Sequence, residues 1–337
     1  MVHRVLYALV ATTFAFGCGG TYGGRPVKKP RAPRGGIELA ALPYQVLDAR
    51  TGRQLETEAF WTALGQARAI CIGEDHTNPH HHWVQLEIVS QLAKRMPGTP
   101  MALSLEMIQK PFQGVLDDYA AKRIDPAALQ SRVGWKERWG YDWGFYGPTL
   151  DAARAGGAKL LAANAPRELT KKVVRKGLES LTPDEKAQVP ELVLDDAAHR
   201  AWFDALMEGM GGTHAHSQPK DENAPAPLAN PNPGDLPEMP SAERIYTVQV
   251  IWDETMADVT AKWLTATPNG HAIILAGNGH CHDSAIVKRL ERRGVGDVVS
   301  VRPVIDADGG VAEALVKPLN DFVVVLQMPR AAPTSAR

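Results

Sequence analysis

Short apolar runs alternate along this chain with longer stretches whose apolar positions recur at helical spacing. The runs that predict buried strands are RAICIG (68–73), MALSLEM (101–107), AKLLAAN (158–164), HAIILAG (271–277), VVSVR (298–302) and FVVVLQM (322–328). The stretches that predict helices are residues 79–95, 109–122, 147–156, 166–178, 195–210, 246–266 and 283–293. This alternation is typical of α/β proteins with a mainly parallel central sheet and helices on both faces.

One stretch interrupts the alternation. Residues 211–243 are rich in Pro, Asn and Gly and contain almost no large apolar side chains. Such a segment buries too little apolar surface to fold, so we expect it to be disordered between two helices. The sequence therefore predicts a single large α/β domain over residues 37–330 plus a helical insertion, of which residues 211–243 are the disordered part.

The first residues have the pattern of an export signal. Arg4 precedes an apolar run that is too short for a comfortable membrane span. The run ends at AFGC, which suits a lipobox, so residues 1–18 are interpreted as a lipoprotein signal peptide with Cys18 as the lipidated residue. Ordinary signal cleavage nearby is the alternative. Residues 19–36 are rich in Gly, Pro and positive charge and predict a disordered basic tether.

The charge of the chain argues against nucleic acid as a partner. Residues 1–36 hold six basic residues and no acid, so the rest carries 31 basic against 38 acidic residues. A net negative body does not attract phosphate backbones. Two further cysteines, Cys71 and Cys281, would be free to pair in an oxidising compartment. Because Cys71 lies in an apolar run, however, the favoured interpretation is a small core residue.

Polar residues follow four of the predicted strands. Ligands of open parallel sheets bind beyond the carboxyl ends of the strands, so these positions are candidates for a site. They are Glu74 and His76 after the first strand, Glu106 at the end of the second, Asn164 at the end of the third, and Asn278 and His280 after the fourth. Asp253 is a further candidate, from the same helix face as Gln249. Imidazole and carboxylate groups suit a metal or the acid/base activation of water, and a purely structural polar cluster is the alternative.

The segment IGEDHTNPHHH (72–82) contains a further histidine cluster. Asn78 and Pro79 predict a helix start, with asparagine as the N-cap and proline at the first helical position. The three following histidines then point in different directions from the first turn, so they do not serve one ion. His81 is the one that we assign to the predicted site.

Aromatic residues are concentrated in GWKERWGYDWGFYGPTL (134–150). Such a segment lines a pocket for a flat apolar ligand or packs a loop onto the core, and composition alone favours packing. In the first case a tyrosine from this segment is a candidate iron ligand.

Taken together, these residues resemble the ChaN-like haem-binding lipoproteins, in a wider superfamily with the TraB/Tiki proteins and the erythromycin esterases. The matching segments are IGEDHTNPHHHWVQ (72–85), LEM (105–107), YGPTL (146–150), AANAPRE (162–168), VQVIWDETMA (248–257) and AGNGHCHD (276–283). One departure is Thr77, where ChaN-like chains often have aspartate.

The resemblance implies a membrane-anchored lipoprotein that faces the periplasm and binds haem, with a role in iron or haem acquisition or handling. Gly19, in place of an aspartate after the lipidated cysteine, favours the bacterial outer membrane. We expect haem and the membrane as partners, a homodimer as a possible assembly, and no nucleic acid. Tyr146 is preferred to Tyr141 as the iron ligand. The haem-binding residues expected are Glu74, His76, His81, Glu106, Tyr146, Asn164, Asp253, Asn278 and His280.

The same resemblance leaves hydrolysis open as a second function. Enzymes of the wider superfamily look like metal-dependent or acid/base hydrolases built on a GExH motif and a later histidine. Glu74, His76 and His280 match those positions and would be the catalytic residues. A divalent metal such as zinc or manganese would then be held by Glu74, His76, Glu106 and His280.

Overall fold

The computed structural model describes residue 37 and residues 41–209, 240–306 and 309–327. The strands are β1 (Tyr44–Asp48), β2 (Gln54–Leu55), β3 (Ala69–Ile72), β4 (Met101–Gln109), β5 (Lys159–Asn164), β6 (His271–Leu275), β7 (Val298–Ile305) and β8 (Phe322–Leu326). The helices are α1 (Thr57–Gln66), α2 (Pro79–Arg95), α3 (Gln113–Ala120), α4 (Pro126–Val133), α5 (Trp135–Arg138), α6 (Trp143–Ala155), α7 (Arg167–Lys176), α8 (Pro183–Lys186), α9 (Ala197–Gly209), α10 (Ala242–Ala266), α11 (Lys288–Arg292) and α12 (Gly310–Val316). Short 3₁₀ turns cover Lys110–Phe112 and Leu178–Ser180, and a π turn covers Asp283–Val287.

In the part of the chain that the structure describes, eight strands form one sheet in the order β2-β1-β8-β7-β3-β6-β4-β5. From β8 to β5 every neighbouring pair is parallel, whereas β1 runs antiparallel to β8 and β2 antiparallel to β1. The six strands predicted from apolar runs are all present. The prediction missed β1 and β2, because β1 is mostly only partly buried and β2, at the edge of the sheet, has only two residues. The predicted mainly parallel sheet is confirmed.

Successive strand residues pack on opposite faces of the sheet, as the pleat requires. In β3, Ile70 and Ile72 join a cluster with α1, α2 and α6, while Ala69 and Cys71 join a second cluster with α10 and α11. Helices therefore cover both faces, as predicted. Strands buried on both sides read as continuous apolar runs, which is why they were visible in the sequence.

Two helix starts depend on side-chain caps. Asn78 accepts a hydrogen bond from the backbone N–H of His80, so α2 begins at Pro79 as predicted. Ser241 accepts one from the backbone N–H of Arg244 and begins α10 at Ala242. The predicted start at residue 246 and the predicted insertion end at residue 243 were therefore wrong by a few residues. Residues 211–239 of that insertion lie outside the described residues.

A disulfide joins Cys71 in β3 to Cys281 in the loop after β6, with 5.2 Å between their Cα atoms. The interpretation of Cys71 as an unpaired core residue was therefore wrong. Both cysteines are nonetheless buried, so the bond lies inside the core between two neighbouring strand ends. None of the helices in the described ranges is both long and apolar enough to cross a membrane.

Candidate functional site

The sheet topology gathers the predicted polar residues at one edge. Strands β3, β6 and β4 are adjacent and parallel, so their carboxyl ends lie side by side. Glu74 and His76 follow β3, Glu106 lies within β4, and His280 follows β6. Chain order reverses around β3, where the sheet grows outward in both directions, and such switch points form clefts beyond the strand ends.

On the β3 side, Glu74 is the centre of a buried polar group. Its Oε1 lies 2.5 Å from His76 Nδ1 and accepts a 3.0 Å hydrogen bond from the Tyr146 hydroxyl. Its Oε2 lies 2.6 Å from Nδ1 of His82 on α2. The Glu74 and His82 side chains are fully buried, whereas His76 is 13% exposed. His76 is therefore the member of this group that faces the cleft.

These contacts determine the charge of the group. Burial alone would raise the pKa of Glu74, but the neighbouring imidazoles of His82 and His76 hold it well below its usual range. Burial would lower the pKa of His76, but the hydrogen bond and the charge of Glu74 raise it instead. The pair is thus a carboxylate and an imidazole that holds its proton more firmly than a free histidine.

On the β6 side, Asp253 of α10 is the central carboxylate, as Glu74 is on the β3 side. Its Oδ1 lies 2.6 Å from His280 Nδ1, and its Oδ2 lies 3.1 Å from His199 Nε2. Asp253 and His199 are fully buried, and the His280 side chain is 10% exposed. Gln249, one turn earlier on α10, donates to the backbone oxygen of Gly279. The structure thus directs Asp253 into the cluster and not into solvent.

His280 carries a proton at neutral pH. Burial lowers its pKa, but Glu106 and Asp253 lie on either side of the ring and together raise it to about 10. The Arg289 guanidinium and the His280 ring hold the pKa of Asp253 below its usual range despite burial. The cleft therefore has an imidazolium at the β6 end that is fixed by two carboxylates.

Glu106 lies between the two histidines. Its Oε1 is 3.4 Å from His280 Nε2, and its Oε2 accepts a 2.7 Å hydrogen bond from the backbone N–H of Gly277. A Cβ at Gly277 would lie 3.1 Å from His76 Cε1 and 3.2 Å from its Nε2. Glycine at this position therefore permits the His76 ring to approach the backbone of the GNGH loop closely.

Aromatic rings lie beside both partly exposed histidines. Beside His76 lie the rings of Trp139 and Tyr141, each with its centroid 4.8 Å from the imidazole. Beside His280 lies Trp252, at 6.1 Å. The Tyr141 hydroxyl is buried without a hydrogen-bond partner among the described residues, and burial together with the nearby carboxylates raises its pKa. The aromatic segment thus both packs on the core and borders the cleft.

Three other predicted residues have structural contacts. His81 Nδ1 accepts from the backbone N–H of Asp75, and burial lowers its pKa to about 4. Asn164 donates its side-chain amide to the backbone oxygen of Glu106. The Asn278 side chain packs against Gly73, where a Cβ would collide with it. Of the residues assigned to the site, His81 is thus directed at a turn, while its neighbour His82 contacts Glu74.

The predicted metal site is not supported. Among the described residues, no group of three or more His, Cys, Asp or Glu side chains is arranged to hold a metal ion. Glu74, His76, Glu106 and His280 do lie at one edge, but their atoms are directed at each other and at Asp253 and Gly277. A shared position at a strand edge does not by itself make the lone pairs of these four side chains converge on one point.

Sequence reasoning missed His82 and His199. His82 had a signal, since it shares a helix face with the buried residues Gln85 and Val89. His199 had none, because it reaches Asp253 only through the packing of α9 against α10 and the π turn.

The fold and the site together define an α/β protein with a cluster of histidines and carboxylates at the carboxyl ends of its parallel strands. The family model described as haem-binding uptake, Tiki superfamily, ChaN matches residues 60–290. The chain therefore belongs to this family, which supports haem binding or handling.

One solved structure supports this fold, and two more distant ones were also found. The chain is similar to ChaN of Campylobacter jejuni, solved with cofacial haem, at a TM-score of 0.60 and 18% identity over 85% of this chain and 97% of that one. A mutant of the erythromycin esterase EreC in its open conformation is more distant, at a TM-score of 0.41 and 14% identity over 84% of this chain and 83% of that one. The type III effector HopBA1 has a TM-score of 0.42 and 8% identity, over 87% of this chain and 100% of that one. No curated protein matches the chain.

Proposed function

We propose that this protein binds haem at the carboxyl edge of the sheet, with His76 as the iron ligand. The observation that carries the proposal is the contact of His76 Nδ1 with the buried carboxylate of Glu74. Histidines that ligate metals usually donate their second ring nitrogen to a carboxylate, which fixes the ring and strengthens the ligand. His76 Nε2 is then the nitrogen left for iron, at the partly exposed end of the group.

The residues around His76 suit a flat apolar ligand. Trp139 and Tyr141 present rings at 4.8 Å, and the missing side chain of Gly277 lets the His76 ring lie against the loop backbone. The unpartnered Tyr141 hydroxyl is a polar group that a ligand can satisfy. When bound, haem would supply an iron centre that His76 could ligate.

Tyr146, the tyrosine preferred from the family resemblance, has a different place in this proposal. Its side chain is 1% exposed and its hydroxyl donates to Glu74. We assign it the support of Glu74, with Asp253, Glu106, Asn164 and Asn278 shaping the remainder of the cleft. His280 lies at the far end, between the carboxylates of Glu106 and Asp253.

A haemin titration of protein without residues 1–36 tests this proposal. We expect a saturable Soret band with the absorption and electron paramagnetic resonance spectra of an imidazole ligand, retained in Tyr146→Phe and Tyr141→Phe. A spectrum typical of phenolate ligation that is lost in one of these two variants would transfer the ligand role to that tyrosine. Gel filtration of the loaded protein measures whether a homodimer forms.

Acid/base hydrolysis is the second candidate function. It is favoured by the charged His280 between Asp253 and Glu106, since a fixed imidazolium donates a proton and stabilises negative charge. His76, oriented by Glu74, is then the group that would accept a proton from water. In this second function Glu74, His76 and His280 are the catalytic residues.

Activated esters, such as nitrophenyl acetate and butyrate, probe this second function. Hydrolysis that is lost in both His76→Ala and His280→Ala, and retained in Tyr146→Phe, would support it. If the wild-type protein hydrolyses these esters no faster than the His76→Ala variant does, the His76 site is excluded as the place where this class of ester is hydrolysed.

We further propose that the protein is exported and anchored through lipidated Cys18 to the outer membrane, facing the periplasm, with residues 19–36 as the tether. Residues 1–36 lie outside the described residues. The Cys71–Cys281 disulfide supports export, because such bonds persist in oxidising compartments. Metabolic labelling with palmitate, lost in Cys18→Ala, followed by membrane fractionation, is the test. Unlabelled, freely released wild-type protein would contradict it.

A further inference from the structure

The cleft contains two matching arrangements of three residues. His76 contacts a carboxylate oxygen of Glu74, and the other oxygen of Glu74 lies 2.6 Å from the buried His82. A tyrosine hydroxyl, that of Tyr146, completes this arrangement. In each arrangement a partly exposed histidine contacts one oxygen of a buried carboxylate, and a second, fully buried histidine lies within ion-pair distance of the other oxygen.

The second arrangement comes from different elements. His280 contacts one oxygen of Asp253, and the other oxygen lies 3.1 Å from His199 on α9. Here too a tyrosine hydroxyl takes part, since Tyr246 lies 3.2 Å from His199 Nδ1. Because β3 with α2 builds one arrangement and β6 with α9 and α10 builds the other, their similarity reflects a shared chemical requirement and not a shared segment.

We infer that His82 and His199 are positioning residues, which fix the carboxylates of Glu74 and Asp253 and thereby the ring orientation of His76 and His280. This inference rests on the proposed function, in which His76 presents Nε2 to iron. Both residues are fully buried, so neither touches a ligand in the cleft. His82 and His199 lie within ion-pair distance of the second oxygens, Glu74 Oε2 and Asp253 Oδ2. A carboxylate with a cationic or polar ring beside each oxygen has fewer orientations than one with a partner at a single oxygen, which can rotate and release the imidazole.

The two histidines use different ring nitrogens, which makes the inference sharply testable. His82 faces its carboxylate through Nδ1, whereas His199 uses Nε2. An asparagine amide nitrogen overlays the Nδ1 position, and a glutamine amide nitrogen overlays the Nε2 position. We therefore expect His82→Asn and His199→Gln to retain the contact with the carboxylate. His82→Gln and His199→Asn should lose it.

The first readout is haemin affinity of the full chain. Loss of a partner behind a metal-ligating histidine costs about 10-fold to 100-fold in affinity, so we expect an increase of about 10-fold in the haemin Kd for His82→Gln and a smaller one for His82→Asn. His81→Ala is a matched control, since His81 is the neighbouring buried histidine and contacts Asp75 instead.

The second readout needs no haem. Short Nδ1–H···carboxylate contacts give downfield proton resonances, which we expect for His76 and His280 in the ligand-free protein. The His76 signal should be lost in His82→Gln and kept in His82→Asn, and the His280 signal lost in His199→Asn and kept in His199→Gln. If both histidines act only by filling space, glutamine, which is closer in size to histidine, will be the better substitute at both positions, and the inference is overturned.

The two readouts separate this inference from the proposed function. If the wild-type protein does not bind haemin, but the proton signals survive only in His82→Asn and His199→Gln, the proposed function is rejected and the positioning roles stand. We call this result the crossed pattern. Haemin binding without the crossed pattern would do the reverse.

Discussion

His76 Nδ1 lies 2.5 Å from Glu74 Oε1, and this contact joins the most exposed imidazole of the β3 strand end to a fully buried carboxylate. A histidine held in this way has one nitrogen occupied and the other directed along the GNGH loop. The ring is thus oriented before any ligand arrives. Preorganisation of this kind reduces the entropy lost on binding.

The first prediction concerns the carboxylate of this pair. Glu74→Gln removes the negative charge that orients His76, so we expect haemin affinity to fall by about 10-fold to 100-fold. Glu58→Gln is the control, because Glu58 is exposed and pairs with Arg95 on the surface, away from the His76 site. Equal affinities of the two variants in a Soret titration would show that Glu74 has no part in binding.

The second prediction concerns the close approach of the GNGH loop. Gly277→Ala places a methyl group 3.1 Å from the His76 ring, so the ring must shift and haemin affinity should fall by about 10-fold. In Gly279→Ala the added methyl meets Trp202 at an ordinary 3.5 Å. We expect this second variant to bind haemin like the wild type. A reversed order of the two affinities would place the ligand away from His76.

The third prediction concerns pH. His280 keeps a proton up to about pH 10 in the folded protein, whereas a histidine in the unfolded chain loses it near pH 6.5. The folded state then binds more protons than the unfolded state in this window, so the free energy of unfolding falls as the pH rises from 7 to 10. The slope is at most about 1.4 kcal/mol per pH unit for one group.

Urea unfolding of the ligand-free protein at pH 7, 8 and 9 measures this slope. Asp253→Asn is the comparison, because without the negative charge of Asp253 the pKa of His280 should fall and the slope should flatten. A stability that rises over this range in the wild type would contradict the assignment of a charged His280.

The fourth prediction concerns the disulfide. Cys71 and Cys281 are separated by 210 residues, so removal of their bond frees a long loop in the unfolded chain. We expect the double variant Cys71→Ala, Cys281→Ala to lose about 3–5 kcal/mol of unfolding free energy. The same bond should block alkylation of both thiols in unfolded, unreduced wild-type protein. Rapid alkylation of Cys71 and Cys281, located by peptide mapping, without a reductant would show that the bond is absent.

Much of this fold was predictable because strands buried on both faces are long apolar runs, as in β3 and β6. The site was predictable in part, since the carboxyl ends of parallel strands meet at one edge and Glu74, His76, Glu106 and His280 follow such strands. His82 and His199 were not predicted as partners of the carboxylates. Their contacts depend on how helices dock on the sheet, and the sequence pattern reports the buried face of a helix but not the atom that each side chain meets.

The aromatic segment shows the same limit. Composition presented packing and pocket lining as alternatives, yet Tyr146 is buried against Glu74 while Tyr141 borders the cleft. Both functions occur within a few residues because α6 begins at Trp143, so that Tyr146 is on the helix and Tyr141 precedes it. Only the position of the helix start separates the two roles.

The measurement that tests the central proposal most directly is a haemin titration of His76→Ala beside His81→Ala. Both variants remove one imidazole from the same segment, but only His76 faces the cleft. We expect His81→Ala to keep the Soret band and the imidazole-type spectrum of the wild type, and His76→Ala to lose both. A His76→Ala protein with wild-type affinity and an unchanged spectrum would contradict the assignment of His76 as the iron ligand.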